Sequence, residues 1–152
     1  MSIWWSLHLR REAASVPLAR RLLLGTMETA GVDPDISFDL SVALSEACAN
    51  AVEHGGDERA GVSSSAEYRV TAYLDGETCR IEVTDSGPGF PVVRGRRGAL
   101  RSVHSTAEDG RGLGLIEQLA DHVHYRNRPG RGAVVSFDKI LKWREGALLK
   151  VS

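Results

Sequence analysis

Two pairs of short strands, each closed by a tight turn, constrain this chain more than any other feature. Residues 67–74 (EYRVTAYL) and 78–84 (TCRIEVT) are rich in strand-favouring types and flank Asp75-Gly76-Glu77, a hairpin turn signal. Residues 122–127 and 132–139 repeat the pattern across Arg128-Pro129-Gly130-Arg131. Residues 3–9 (IWWSLHL) predict a further strand, with Trp4 and Trp5 on opposite faces, one in the core and one outside. Hairpin-joined strands imply a mostly antiparallel mixed sheet.

The apolar spacing changes between these strands. Val16, Arg20, Leu23, Met27 and Ala30 recur at three- and four-residue steps, which predicts a helix over 12–30 that stops at Gly31. Asp33-Pro34 then reads as a capping residue followed by proline at the first helical position. That second helix is expected to run to about His54, where Gly55-Gly56 ends it. A third helix is expected from 113 to about 121. The order β-α-α-β-β-loop-α-β-β predicts an α+β fold, a two-layer α/β sandwich with its helices on one face of the sheet.

At 152 residues and 42% hydrophobic, the chain is the size of one domain. Residues 1–140 are expected to form it, with 141–152 as a C-terminal tail. The formal net charge of -1 argues against a general nucleic-acid or membrane-surface binder. No apolar run approaches the ~18 residues of a membrane span. Met1–Arg11 lacks the charged-then-apolar order of a secretory signal, so a cytoplasmic location is expected. Cys48 and Cys79 fall in core-like segments with no metal-ligand spacing, which predicts two reduced, buried thiols.

The second helix carries a polar stripe. Asp39, Glu46, Asn50, Glu53 and His54 share one face, opposite Leu40, Leu44, Ala47, Cys48, Ala51 and Val52. Such a stripe is either an ordinary wet face or a site. Glu46 and Asn50, one turn apart, offer a carboxylate and an amide oxygen, a donor pair suited to Mg²⁺, and the carboxylate suits a general base. His122 and His124 share a strand face, but no third metal ligand is evident.

Two glycine clusters lie further along. Asp85-Ser86-Gly87-Pro88-Gly89 ends a strand and presents an acceptor where the backbone turns. Gly110-Arg111-Gly112-Leu113-Gly114-Leu115 opens a helix, where free N–H groups and the helix dipole favour an anion such as phosphate. Each cluster also reads as a plain turn or helix start. Between them, residues 86–111 hold seven glycines and prolines, a stretch too long to stay structureless in a compact domain without a function. It contains Arg94, Arg96, Arg97 and Arg101, either a solvated basic loop or a source of charge for a γ-phosphate. There is no Gly-Lys dipeptide and hence no P-loop, and neither cluster completes the dinucleotide fingerprint.

Taken in order, these motifs resemble those of the gyrase and histidine-kinase type ATPases, the GHKL superfamily. Glu46-x-x-x-Asn50-Ala51-x-x-His54 is similar to the family's N-box, Asp85-x-Gly87-x-Gly89 to its first glycine box, and Gly110-x-Gly112-x-Gly114-Leu115 to its second. The stretch SEACANAVEHG and the length resemble the anti-sigma-factor serine kinases of Gram-positive bacteria. The resemblance implies ATP and Mg²⁺ as cofactors. Asn50 would ligate Mg²⁺, Glu46 would orient or deprotonate a protein serine hydroxyl, and Asp85 would accept the adenine amino hydrogen. Gly89 would let the base lie against the backbone, residues 90–111 would form a lid, and Gly110, Gly112 and Gly114 would let lid and helix start wrap the phosphates. His54 falls inside the ATP-site motif. The family often places a threonine in the last strand near the adenine; here that strand reads Gly132-Ala133-Val134-Val135-Ser136.

What the resemblance implies functionally is an anti-sigma factor with serine kinase activity. It would act as a homodimer that holds a sigma factor and phosphorylates an anti-sigma-factor antagonist, with no direct nucleic-acid or membrane contact. The first helix, with Arg10, Arg11, Arg20 and Arg21 near it, is a candidate partner surface. The alternatives are a non-catalytic, ATP-responsive binding module of the same fold and a detached histidine-kinase catalytic domain.

Overall fold

A computed structural model describes residues 2–54, 67–85, 113–128 and 132–147. The order is β1 (Ile3–Arg10), α1 (Ser15–Ala30), α2 (Pro34–His54), β2 (Glu67–Leu74), β3 (Thr78–Asp85), α3 (Leu113–Leu119), β4 (His122–Arg128) and β5 (Gly132–Ile140). The strands form one five-stranded sheet in the order β1-β2-β3-β5-β4. All four pairings among the described strands are antiparallel, so the sheet is not mixed as expected. The connection through α3 places β4 on the outer edge and lets β5 turn back into the sheet beside β3.

Local chemistry sets the element ends. At the first helix, Ser15 donates its backbone N–H to the Glu12 carbonyl at 2.9 Å, and that turn delays the helix three residues beyond the expected start. Gly31 closes α1 at φ 93°, a left-handed conformation that glycine adopts without a Cβ penalty. Asp33 caps α2 by accepting the Asp35 N–H at 2.8 Å. In the β2–β3 turn, Asp75 accepts the N–H groups of Glu77 and Thr78 at 2.7 and 2.8 Å. Gly76 has no positive φ, so the Asp75 carboxylate makes this turn and the glycine's freedom does not. Those two N–H groups also hold the Asp75 carboxyl below its usual range.

One sheet face and the helices enclose the core. Leu23, Met27, Leu40, Leu44, Ile81, Ile116 and Phe137 are fully buried there. Burial at roughly 25 cal/mol per Å² of apolar surface is the main favourable contribution to the fold. Trp5 turns inward and donates its indole N–H to Thr26 Oγ1 at 3.1 Å, while Trp4 is 63% exposed and stacks on Tyr73 across the ladder. Cys48 and Cys79 are buried and unbridged. After β5, Leu141 is buried and Trp143 pairs with Val32. Lys142 O accepts the Asp33 N–H, and Arg144 donates its own N–H to Gly31 O and a guanidinium N–H to Glu28 O. Residues 142–144 therefore pack on the corner between α1 and α2. No described helix is long and apolar enough to cross a membrane.

Candidate functional site

Parity along the ladder places Asp85 on the helix-covered face, since Ile81 and Val83 before it are buried there. Its register partner in β2 is Tyr68. Tyr68 and the Cys48 thiol are hydrogen-bonded, which draws the middle of α2 over the end of the sheet where β2 begins and β3 ends. Glu46 and Asn50 stand two residues either side of Cys48. The ladder and the helix thus bring Glu46, Asn50 and Asp85 to one end of the molecule.

Tyr68 is also joined to Ser15 at 2.6 Å, and Ser15 donates to the Glu12 carbonyl at 2.7 Å. With the serine proton committed to Glu12, the Tyr68 O–H donates to Ser15 Oγ. Every polar atom in this chain is paired. Burial pushes the Cys48 thiol up to about 12, opposed by its bond to Tyr68. Tyr68 is raised mainly by burial, and Cys79 likewise. These groups stay neutral and serve the fold.

Asn50 is different. Its side-chain Nδ2 is buried, yet it meets no acceptor among the described residues. A buried polar atom left without a partner costs about 1–3 kcal/mol, so the arrangement calls for an incoming acceptor. A phosphate oxygen satisfies Nδ2 directly. Turning the amide by half a rotation exchanges it for Oδ1, a hard donor that suits Mg²⁺. The donor set therefore fits a magnesium–triphosphate group, with Glu46 one helical turn away and half-exposed.

Asp85 Oδ1 accepts the Ala133 N–H at 3.3 Å, which ties the end of β3 to the start of β5. Sequence reasoning did not single out Ala133. Ser136 stands opposite Glu82 and points to the helix-free face, where Arg80 donates to its hydroxyl at 3.4 Å. No hydroxyl therefore accompanies Asp85 from β5 at this position.

Of the second glycine cluster, only the helix itself lies within the described residues. A side chain at Gly114 would meet no described atom within 4 Å, so packing does not demand glycine there. Leu115 is 37% exposed, and the next residue, Ile116, is fully buried in the core. Gly87, Gly89, Gly110, Gly112 and the arginine-bearing stretch 90–111 lie outside the described residues, as does the side chain of His54, whose backbone ends α2. Asp39 lies apart from Glu46 and Asn50, 3.9 Å from Lys139. Arg20 donates to Ser45 Oγ at 3.2 Å, joining α1 to α2. No cluster of three or more metal-ligating side chains exists among the described residues, and His122 is instead paired with Asp138 at 2.8 Å.

Residues 9–139 match the histidine kinase-like ATPase domain family. The serine-protein kinase RsbW of Bacillus licheniformis is 32% identical over 131 residues, spanning 83% of this chain and 78% of that one. The anti-sigma F factor of Pasteuria penetrans is 33% identical over 116 residues, spanning 74% and 75%. Among solved structures, the RsbU and RsbW domains of a Mycobacterium tuberculosis protein superpose with a TM-score of 0.63 at 22% identity, covering 91% of this chain. That likeness shows the fold, and this chain spans 33% of the solved chain.

Proposed function

The chain belongs to the histidine kinase-like ATPase domain family, and within it we propose an anti-sigma factor with serine kinase activity. In this reading it holds a sigma factor and phosphorylates a serine of an anti-sigma-factor antagonist. The observation that carries the nucleotide reading is the buried Asn50 Nδ2 with no acceptor among the described residues, one turn from a carboxylate at a sheet end marked by Asp85.

Each residue has a separate task. Asn50 holds the magnesium–triphosphate group. Asp85 accepts the adenine amino hydrogen and so selects adenine over guanine. Glu46 orients the attacking serine hydroxyl and accepts its proton as the oxygen attacks. The bound nucleotide supplies the γ-phosphoryl group. Gly114 leaves the start of α3 open to the phosphates, as does the dipole of that helix.

Transfer of labelled phosphate from ATP to a serine of a candidate antagonist tests the kinase. Glu46→Ala lowers transfer by on the order of 10²- to 10⁴-fold while ATP still binds. Asp85→Asn weakens ATP binding at least tenfold, or about 1.4 kcal/mol by calorimetry. One observation favours a second reading, an ATP-responsive binding module without transfer: the β5 residue bonded to Asp85 is Ala133, whose side chain has no hydroxyl to offer a base. In that case Glu46→Ala leaves partner capture intact and there is no transfer to lose.

A further inference from the structure

Lys139 is a lysine on the wrong face of its strand. Phe137 before it and Leu141 after it are buried against the helices, and Lys139 shares their side of β5. Its side chain is only 15% exposed. The ammonium group donates to the carbonyl of Leu119 at 2.8 Å, and Leu119 is the last residue of α3. Asp39 Oδ2, in the second turn of α2, lies 3.9 Å away on the other side. One cation thus joins β5, the C-terminal end of α3 and the early part of α2. A lysine there also suits the partial negative charge at a helix C-terminus.

The topology gives this joint a direction. Lys139 pairs with Cys79, at the start of β3 and so at the opposite end of the sheet from Asp85. The helix α2 runs from Asp39 at that end to Cys48 over Tyr68 at the other. The chain leaves β3 at Asp85 and enters β4 opposite Asp138, so α3 travels the reverse way and packs against α2. Its N-terminal end is directed toward the half of α2 that bears Asn50. Being seven residues, α3 spans about 10 Å and, among its described side chains, only Ile116 is fully buried. So short a helix has little packing of its own to fix its axial position.

We propose that Lys139 is a positioning residue for the nucleotide site: by pinning the end of α3 to α2 it sets where the start of α3 stands relative to Asn50. This rests on the nucleotide reading above. In that reading the phosphates stand between α2 and the start of α3, so the effect falls on them and leaves the adenine end at Asp85 untouched. Other tethers keep α3 folded on the sheet when the ammonium is removed, while its axial position is freed, since Asp121 Oδ2 accepts the Ile140 N–H at 2.6 Å and Tyr125 donates to Glu117 at 3.3 Å.

The test compares two ligands on the full chain. Lys139→Met keeps the apolar stem and deletes the charge. Calorimetry with Mg²⁺–ATP shows binding weakened roughly fivefold, within the range for residues coupled to a site without touching its ligand. Adenosine binds the variant as it binds the parent, and Lys139→Arg restores most of the ATP affinity. A purely structural role lowers the folded fraction and weakens both ligands in parallel, which overturns the proposal, as does unchanged ATP binding. Should Lys139→Met fail to fold, Asp39→Asn carries the same comparison with a shift of about twofold in ATP alone, and equal changes for both ligands again overturn it. A parent protein that binds no ATP overturns the nucleotide reading itself.

Discussion

Two buried polar spots touch α2, and they are built in opposite ways. Around Cys48 a hydrogen-bond chain runs through Tyr68 and Ser15 to the Glu12 carbonyl, with each group partnered. Two residues further along the same helix, Asn50 keeps a buried donor with no acceptor among the described residues. The first spot is finished by the fold alone. The second is finished only by something that arrives, and the fold bears the cost of holding it open. Saturation thus separates scaffold from site even where the two share a helix.

Substitutions that move one spot and not the other test this contrast. Tyr68→Phe leaves the Cys48 thiol and Ser15 without their common partner and costs about 1–3 kcal/mol of unfolding free energy in urea titrations, with ATP affinity unchanged. An equal loss of affinity would mean that the closed chain also serves the ligand. Asn50→Ala does the reverse. It weakens Mg²⁺–ATP binding about tenfold, or about 1.4 kcal/mol, and leaves the urea midpoint where it was, because no internal hydrogen bond is lost. A large drop in midpoint would show that Nδ2 does have a partner in the fold.

The smallest effect appears only at high pH. The folded protein holds the Cys48 thiol near 12 against 9.0 in a free chain, and Cys79 and Tyr68 shift the same way. Below about 9 both folded and unfolded chains keep these protons, so their neutral burial stabilises in full. Above it the unfolded chain releases protons that the folded one retains, and stability declines as pH rises toward 12. Melting temperatures measured from pH 7 upward trace the fall. Replacing Cys79 by alanine shallows that slope.

Most of this architecture was legible in the sequence because its signals are local. Asp33-Pro34 marked the start of α2, and the helix ends at the expected His54. The strand-favouring runs EYRVTAYL and TCRIEVT marked β2 and β3, and the structure shows which of their side chains face inward. Glu46 and Asn50 came from helical spacing alone. What the sequence withheld depends on chain segments meeting. The Asp85–Ala133 bond joins residues 48 apart, the Ser15–Tyr68 bond residues 53 apart, and neither carries a local pattern. Asp39 joined the polar stripe by angle, but Lys139 on β5 draws it into the framework. The signal for Lys139 is a lysine at an inward position of its strand, and its partners Leu119 and Asp39 lie far away in sequence, where no local pattern marks them.

The clasp of residues 142–144 on the corner between α1 and α2 bears on how the protein is made. Gly31 and Asp33 find their backbone partners in a segment that follows the last strand of the sheet. On a ribosome, both long helices emerge well before the residues that lock the angle between them. That corner is therefore among the last parts of the fold to close, and until it does the nascent chain offers chaperones and proteases an unfinished joint.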